Sequence, residues 1–343
     1  MDAVTRALPA SGIGIASHPL HAASSPPTDF AAYWEPLRER LNSCHPALVQ
    51  RFFATLPQDL VESIDSVVSG GKKVRARILC TVCEALGGSF ADALPRAMAI
   101  ECIQAASLIH DDWVDGDRVR RNAPAVWTLQ GARRAVLLAD VIFATALERC
   151  AELGRLDVLA LSKAIAAIAA GAYQESLELA ETRTSGFPGS GGRPPYDRLI
   201  FLKTGALFAA AAELGAIGAR ADAALQRAAY DYGARIGEAY QLADDLEDLV
   251  RRPATAPLQI QDVTALSILL GRFGMTGRDQ GRQPLRAEVL QCDKVQIARL
   301  ERAMEDEISA RLASAVFVLK SLPETPWRRM LEAIPNEVVR RKV

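Results

Sequence analysis

The sequence has no excess of charge of either sign: 40 lysines and arginines stand against 41 aspartates and glutamates over 343 residues. That balance excludes bulk attraction to nucleic acid or to an anionic membrane, so any charge that matters is local. Nor is there an uninterrupted run of about 18 apolar residues, and no transmembrane segment is expected. Residues 1–28 are rich in Ala, Ser, Pro and Gly but lack a basic start followed by a long apolar run, so they do not read as a secretory signal. They read as a disordered tail ahead of a single domain, 29–343. Cysteine is sparse: Cys44, Cys80, Cys83, Cys102, Cys150 and Cys292 lie scattered through alanine- and leucine-rich stretches, and the CxxC of Cys80 and Cys83 has no second pair to complete a zinc site. Free thiols of this kind behave as small buried hydrophobes and fit a reducing compartment, the cytoplasm. Period-two runs of β-branched residues are also nearly missing, which leaves little for a sheet.

What is present is helical. Half the residues are hydrophobic, enough for a large core, and from about residue 30 the apolar spacing follows the helical period. The class is all-α. Breakers cut the chain at Ser69-Gly70-Gly71, at Gly87-Gly88, at Asn122-Ala123-Pro124, across a loop from Ser185 to Pro195, and from Arg252-Pro253 to Pro257. Two segments, Leu94 to Asp112 and Asp222 to Leu249, are apolar on most sides and predict helices buried inside a bundle. Each carries an Asp-Asp pair near its C-terminal end.

The first pair belongs to Asp111-Asp112-Trp113-Val114-Asp115 and the second to Asp244-Asp245-Leu246-Glu247-Asp248. Residues four apart share a helix face, so Asp111 stands above Asp115 and Asp244 above Asp248, while Asp112 and Asp245 are turned away by roughly 100°. Six carboxylates on otherwise apolar helices repel one another and are costly to desolvate without a counter-charge. Oxygen-only ligands select a hard ion, and an open carboxylate face with room for water and phosphate suits Mg2+ better than Ca2+. His110, just before the first cluster, reads as a packing residue rather than a ligand.

Cations answer the carboxylates. Gly70-Gly71-Lys72-Lys73-Val74-Arg75 precedes a helix; its glycines let backbone approach an anion, and Lys72 and Arg75, three apart, are expected on one face. Arg120 and Arg121 follow the first cluster on an irregular segment, where adjacent side chains point apart and each can grip a different phosphate. Lys203 and Thr204 place another cation beside a hydroxyl at the start of an alanine-rich helix. Together these groups describe a site for two anions, one bound through metals and one through Lys and Arg directly.

In five motifs, from about Asp65 to Leu249, the chain resembles the trans-isoprenyl diphosphate synthases, or polyprenyl synthetases. They are Gly70-Gly71-Lys72-Lys73-Val74-Arg75, the run from Glu101 through Gln104 to Asp115, Arg120-Arg121-Asn122-Ala123-Pro124, the run from Phe201 to Phe208, and the run from Gly237 through Gln241 to Asp248. The resemblance implies the isoprenoid synthase type I fold, a single large helical bundle around a deep central cavity. It implies a homodimer that joins an allylic diphosphate to isopentenyl diphosphate. By motif position, Asp111, Asp115 and Asp244 are the implied direct ligands of three Mg2+ ions, supported by Asp112, Asp245 and Asp248. Arg120, Lys203, Thr204 and Gln241 fall at allylic-substrate positions, and Lys72, Arg75, Gln104 and Arg121 at those for isopentenyl diphosphate. Bulky residues one turn before the first aspartate cluster close the cavity at short products in this family. Here Ala106 and Ser107 are small, which points to a product of twenty carbons or more, geranylgeranyl diphosphate first and longer chains as the alternative.

The sequence departs from the family at Asn122, at Ala76 and at Trp127, where Gly, Pro and His are common. More consequential, the stretch after Asp248 lacks the usual Gly-Lys-Thr, and Arg251 or Arg252 is the expected substitute for its lysine. The same scaffold also serves class I terpene cyclases and noncatalytic synthase subunits. A cyclase needs no isopentenyl site, so Lys72, Arg75 and Arg121 argue against it. Such subunits often lose an aspartate cluster, and this chain keeps both.

Overall fold

A computed structural model describes residues 29–178, 195–251, 294–322 and 324–340. The expected tail 1–28, most of the loop from Ser185, and Cys292 lie outside them, as do Arg252 and the side chain of Arg251. The described chain is helical with one small exception. It forms α1 (Phe30–Phe52), α2 (Gln58–Val68), α3 (Val74–Ala85), α4 (Phe90–Asp115), a hairpin of β1 (Val119–Arg120) and β2 (Ala123–Pro124), α5 (Val126–Gln130), α6 (Ala132–Leu153) and α7 (Arg155–Glu178). There follow α8 (Pro195–Ile200), a π-helical turn (Phe201–Gly205), α9 (Ala206–Gly218), α10 (Ala223–Arg251), α11 (Lys294–Val318) and α12 (Pro326–Arg340).

Local chemistry sets the helix ends. Ser89 and Asp92 form a reciprocal capping box at the start of α4, and Gly116, left-handed at φ 74°, stops the helix directly after Asp115. The first aspartate cluster therefore occupies the last turn of a long buried helix. The all-α class holds, with one short hairpin among the described residues: Val119 pairs with Pro124 and Arg120 with Ala123. Its two turn residues, Arg121 (φ 52°) and Asn122 (φ 63°), are both left-handed. A two-residue connection of this kind matches the twist of its strands, and Asn tolerates the conformation that otherwise favours Gly.

At the centre lies α9, buried along its whole length except at Glu213. Its alanines let neighbours approach closely. Gly233 and Gly237, one turn apart on α10, face it: a Cβ on Gly237 would stand 2.8 Å from the Cα of Gly205 and from the Cβ of Phe208. On the α3 side, a Cβ on Gly215 would meet the carbonyl oxygen of Leu79 at 2.5 Å. Gly171 of α7 does the same for the π turn, where an added Cβ would lie 3.0 Å from the backbone nitrogen of Lys203. Two segments, Tyr196–Gly218 and Arg155–Gln174, are long and apolar enough to cross a membrane by length and composition, although neither is an uninterrupted apolar run. Polar residues such as Lys203 and Lys163 interrupt such a run without lowering its average much. In the fold, 78% of the apolar 18-residue stretch of the first is buried, as in a core helix, and 33% of that of the second.

Cys80, Cys83, Cys102 and Cys150 are buried and free, and Cys44 is partly buried. Burial pushes the Cys83 thiol up to about 12, so the CxxC of α3 is an inert packing pair.

Candidate functional site

A cavity of about 550 Å3 opens between α3, α4, the hairpin, the π turn and α10. Its lining includes Lys72, Arg75, Gln104, Asp111, Arg120, Arg121, Lys203, Thr204, Gln241 and Asp244. Residues from five separate stretches thus meet around one space. Each aspartate cluster sends one carboxylate into it, Asp111 from α4 and Asp244 from α10.

The other four aspartates are placed differently. Asp112 is buried at 3% exposure and paired with Arg120, whose Nε donates to Oδ1 at 2.6 Å. Burial holds the Asp112 carboxyl above the usual carboxylate range, and Arg120 pulls against it. Asp245 is half-buried and accepts from Tyr196 Oη at 2.5 Å and from Gln241 Nε2 at 2.9 Å. Burial again dominates, and the Asp245 carboxyl is pushed up to about 6 despite those bonds and nearby Lys203. Asp115 and Asp248 lie exposed at the outer ends of their motifs.

The basic side is built by two turns packed together. Lys73 is left-handed at φ 50°, buried, and donates through Nζ to the carbonyl of Val68 at 2.5 Å. The helix begins only at Val74, so Lys72 and Arg75 meet at the cavity through this turn and not through a shared helix face, as their spacing had suggested. Arg121 lies over Gly70 and Gly71; a Cβ on Gly70 would stand 2.9 Å from its Nη1. Arg75 stacks on Phe208 at 4.3 Å, and Tyr240 tilts against that same ring at 5.3 Å. Arg75 Nε is buried with no hydrogen-bond partner among the described residues, a donor beside a space sized for an anion.

Thr204 donates to Gln241 Oε1 at 2.5 Å, which joins the π turn to α10. Single π turns recur at functional sites because they displace one residue of a helix face, and here Lys203 and Thr204 occupy that turn. Of the two residues below Asp111, Ser107 lines the cavity and Ala106 is fully buried in the core. His110 sits against Phe143, ring centroids 5.5 Å apart, 3.5 Å from Asp140, and does not line the cavity.

The sequence reading missed three residues. Glu101 lines the cavity and caps α3 by accepting from the backbone of Ala76 at 3.1 Å. Its position three before Gln104, on one helix face, was the available signal. Tyr240 lines the cavity beside Gln241. Tyr196 reaches Asp245 from a part of the chain with no sequence link to either cluster.

Among the described residues no three carboxylates, histidines or cysteines converge into a ready-made metal cage. The donors that do face the cavity are carboxylates from opposite walls. That set fits Mg2+, which takes one or two protein carboxylates and completes its shell with water and phosphate oxygens.

Residues 57–266 match the polyprenyl synthetase family. The chain is 35% identical over 205 residues to a short chain isoprenyl diphosphate synthase of Methanothermobacter thermautotrophicus, a match covering 57% of this chain and 59% of that protein's length. It is 30% identical over 296 residues to the octaprenyl diphosphate synthase of Escherichia coli, covering 80% and 87% of the two chains. A crystal structure of a polyprenyl synthase from Caulobacter crescentus, complexed with calcium and isoprenyl diphosphate, superimposes with a TM-score of 0.71 at 25% identity, over 93% of this chain and 99% of that one. With its helical bundle, its two aspartate clusters across one cavity and this span of similarity, the chain belongs to the polyprenyl synthetase family.

Proposed function

We propose that the protein is a Mg2+-dependent trans-prenyltransferase that joins an allylic diphosphate to isopentenyl diphosphate, with geranylgeranyl diphosphate as product. The observation that carries this reading is the composition of the cavity lining: Asp111 and Asp244 from two helices line it together with Lys203 and with Lys72, Arg75 and Arg121. A site with carboxylates for metal-bound phosphate and a separate set of cations for a second anion suits two diphosphates, and a cyclase needs only one.

Asp111, Asp115 and Asp244 would hold the ions, with Asp112, Asp245 and Asp248 orienting them or their waters. Bound there, Mg2+ supplies positive charge to the departing diphosphate as its carbon–oxygen bond breaks. Arg120, Lys203, Thr204 and Gln241 orient the allylic diphosphate, and Lys203 and Arg120 add charge where negative charge grows. Lys72, Arg75, Gln104 and Arg121 hold isopentenyl diphosphate so that its double bond faces the allylic carbon. Leu108 and Leu207 in the wall keep water from the cation. The released diphosphate is the base that takes the final proton, and no histidine stands among the described lining residues.

Family membership leaves the product open, since the relatives' names run from short chain to octaprenyl. The small Ser107 on the cavity wall, with Ala106 beside it, supports geranylgeranyl diphosphate. The test is incubation of purified protein and Mg2+ with labelled isopentenyl diphosphate and each allylic primer, followed by chromatographic sizing of the dephosphorylated products. Label in a geranylgeranyl-length alcohol is expected. A hydrocarbon from one substrate alone, or no incorporation with any primer, rules the reading out.

A further inference from the structure

Glu238, Gln241 and Asp245 lie at i, i+3 and i+7 on α10 and so form one stripe along it. Gln241 and Asp245 are bound from the segment that runs through α8 and the π turn, and Glu238 by Arg311 of α11. Thr204 Oγ1 donates to Gln241, Gln241 Nε2 donates to Asp245 Oδ1, and Tyr196 Oη donates to Asp245 Oδ2. Arg311 of α11 bridges the same two elements, its Nη2 to Asp197 at 2.6 Å and its Nη1 to Glu238 at 2.6 Å. The turn of α10 that carries Asp244 is therefore gripped at both ends from one continuous piece of chain. Tyr196 is buried and is not among the described residues that line the cavity.

We propose that Tyr196 is a positioning residue for the second aspartate cluster: by holding Asp245 it fixes the helical turn from which Asp244 enters the cavity. Arg311 anchors it through the neighbouring Asp197. The inference rests on the proposed function for its catalytic meaning, but the clasp itself is tested without turnover. Groups that orient a metal site's carboxylates typically change metal affinity or activity by about ten- to a hundredfold when removed.

The experiment is calorimetric titration of full-length Tyr196→Phe with Mg2+ and inorganic pyrophosphate, with unfolding followed in parallel. The variant keeps the ring and loses the hydroxyl. Expected are an unchanged melting temperature and pyrophosphate binding weakened about tenfold or more. In assays, the Mg2+ concentration for half-maximal rate rises while the KM for isopentenyl diphosphate stays put. Binding within twofold of wild type overturns the proposal, and so does an equal loss for both substrates. Asp197→Asn, which loosens α8 from Arg311 but keeps the Tyr196 hydroxyl, serves if Tyr196→Phe does not fold. It should weaken pyrophosphate binding in the same direction, and no weakening there sinks the idea. A wild type that elongates no primer overturns the proposed function alone, because pyrophosphate binding still decides the clasp.

Discussion

Asp111 and Asp112 are sequence neighbours with opposite fates. One faces the cavity, and the other is buried against Arg120 behind it. The helical period separates them, so their division of labour follows from spacing alone. Ser107 belongs to the same logic, one turn below Asp111 on the cavity side. Replacing it with phenylalanine puts a ring where a growing chain would pass. Ser107→Phe is expected to shorten the main product by at least one isopentenyl unit while the first condensation continues. Chromatography of the dephosphorylated products reads the outcome, and an unchanged product profile would remove Ser107 from the determinants of length. Ala106, though equally small, is enclosed in the core, so enlarging it should disturb packing instead.

The elements owe their arrangement to glycines as much as to apolar stripes. Gly237 touches Gly205 and Phe208, so α10 meets the start of α9 at backbone distance and brings Gln241 and Asp244 opposite Lys203 and Thr204. Gly237→Ala should cost about 1–3 kcal/mol through overpacking. Thermal unfolding checks it: the melting temperature should fall by several degrees, and a variant as stable as wild type would show that the contact is loose. This scale also marks the limit of reading from sequence. The two central helices and their aspartates were legible because periodicity and a repeated motif announce them. The π turn and the left-handed Lys73 were not, since the first packs against the distant Gly171 and the second is held by a bond from its own side chain to the Val68 carbonyl that apolar periodicity does not encode. The same holds for Tyr196, whose partner lies 49 residues away.

For the molecule as a whole, the site residues came from five motifs in one order, and the fold gathers them around one cavity. Less legible was the outer surface. Leu137 on α6 and Leu156 and Tyr173 on α7 are exposed at 63%, 49% and 59%, on two neighbouring helices. We propose that this face joins two copies of the chain in a homodimer. Light scattering on the eluting protein should give twice the chain's mass, and Leu137→Glu with Tyr173→Glu should halve it. A wild type that elutes as a single chain excludes the interface.

The hairpin behind Arg120 and Arg121 has a consequence of a different kind. Consecutive Cα atoms are 3.80 Å apart across a trans peptide, and a two-residue turn between paired strands leaves little freedom to change how the two side chains diverge. Under the proposed function Arg120 and Arg121 would therefore act as a jig. Anions held by adjacent residues of so short a turn would be kept side by side, and the backbone order this requires is set when the hairpin folds rather than at each turnover.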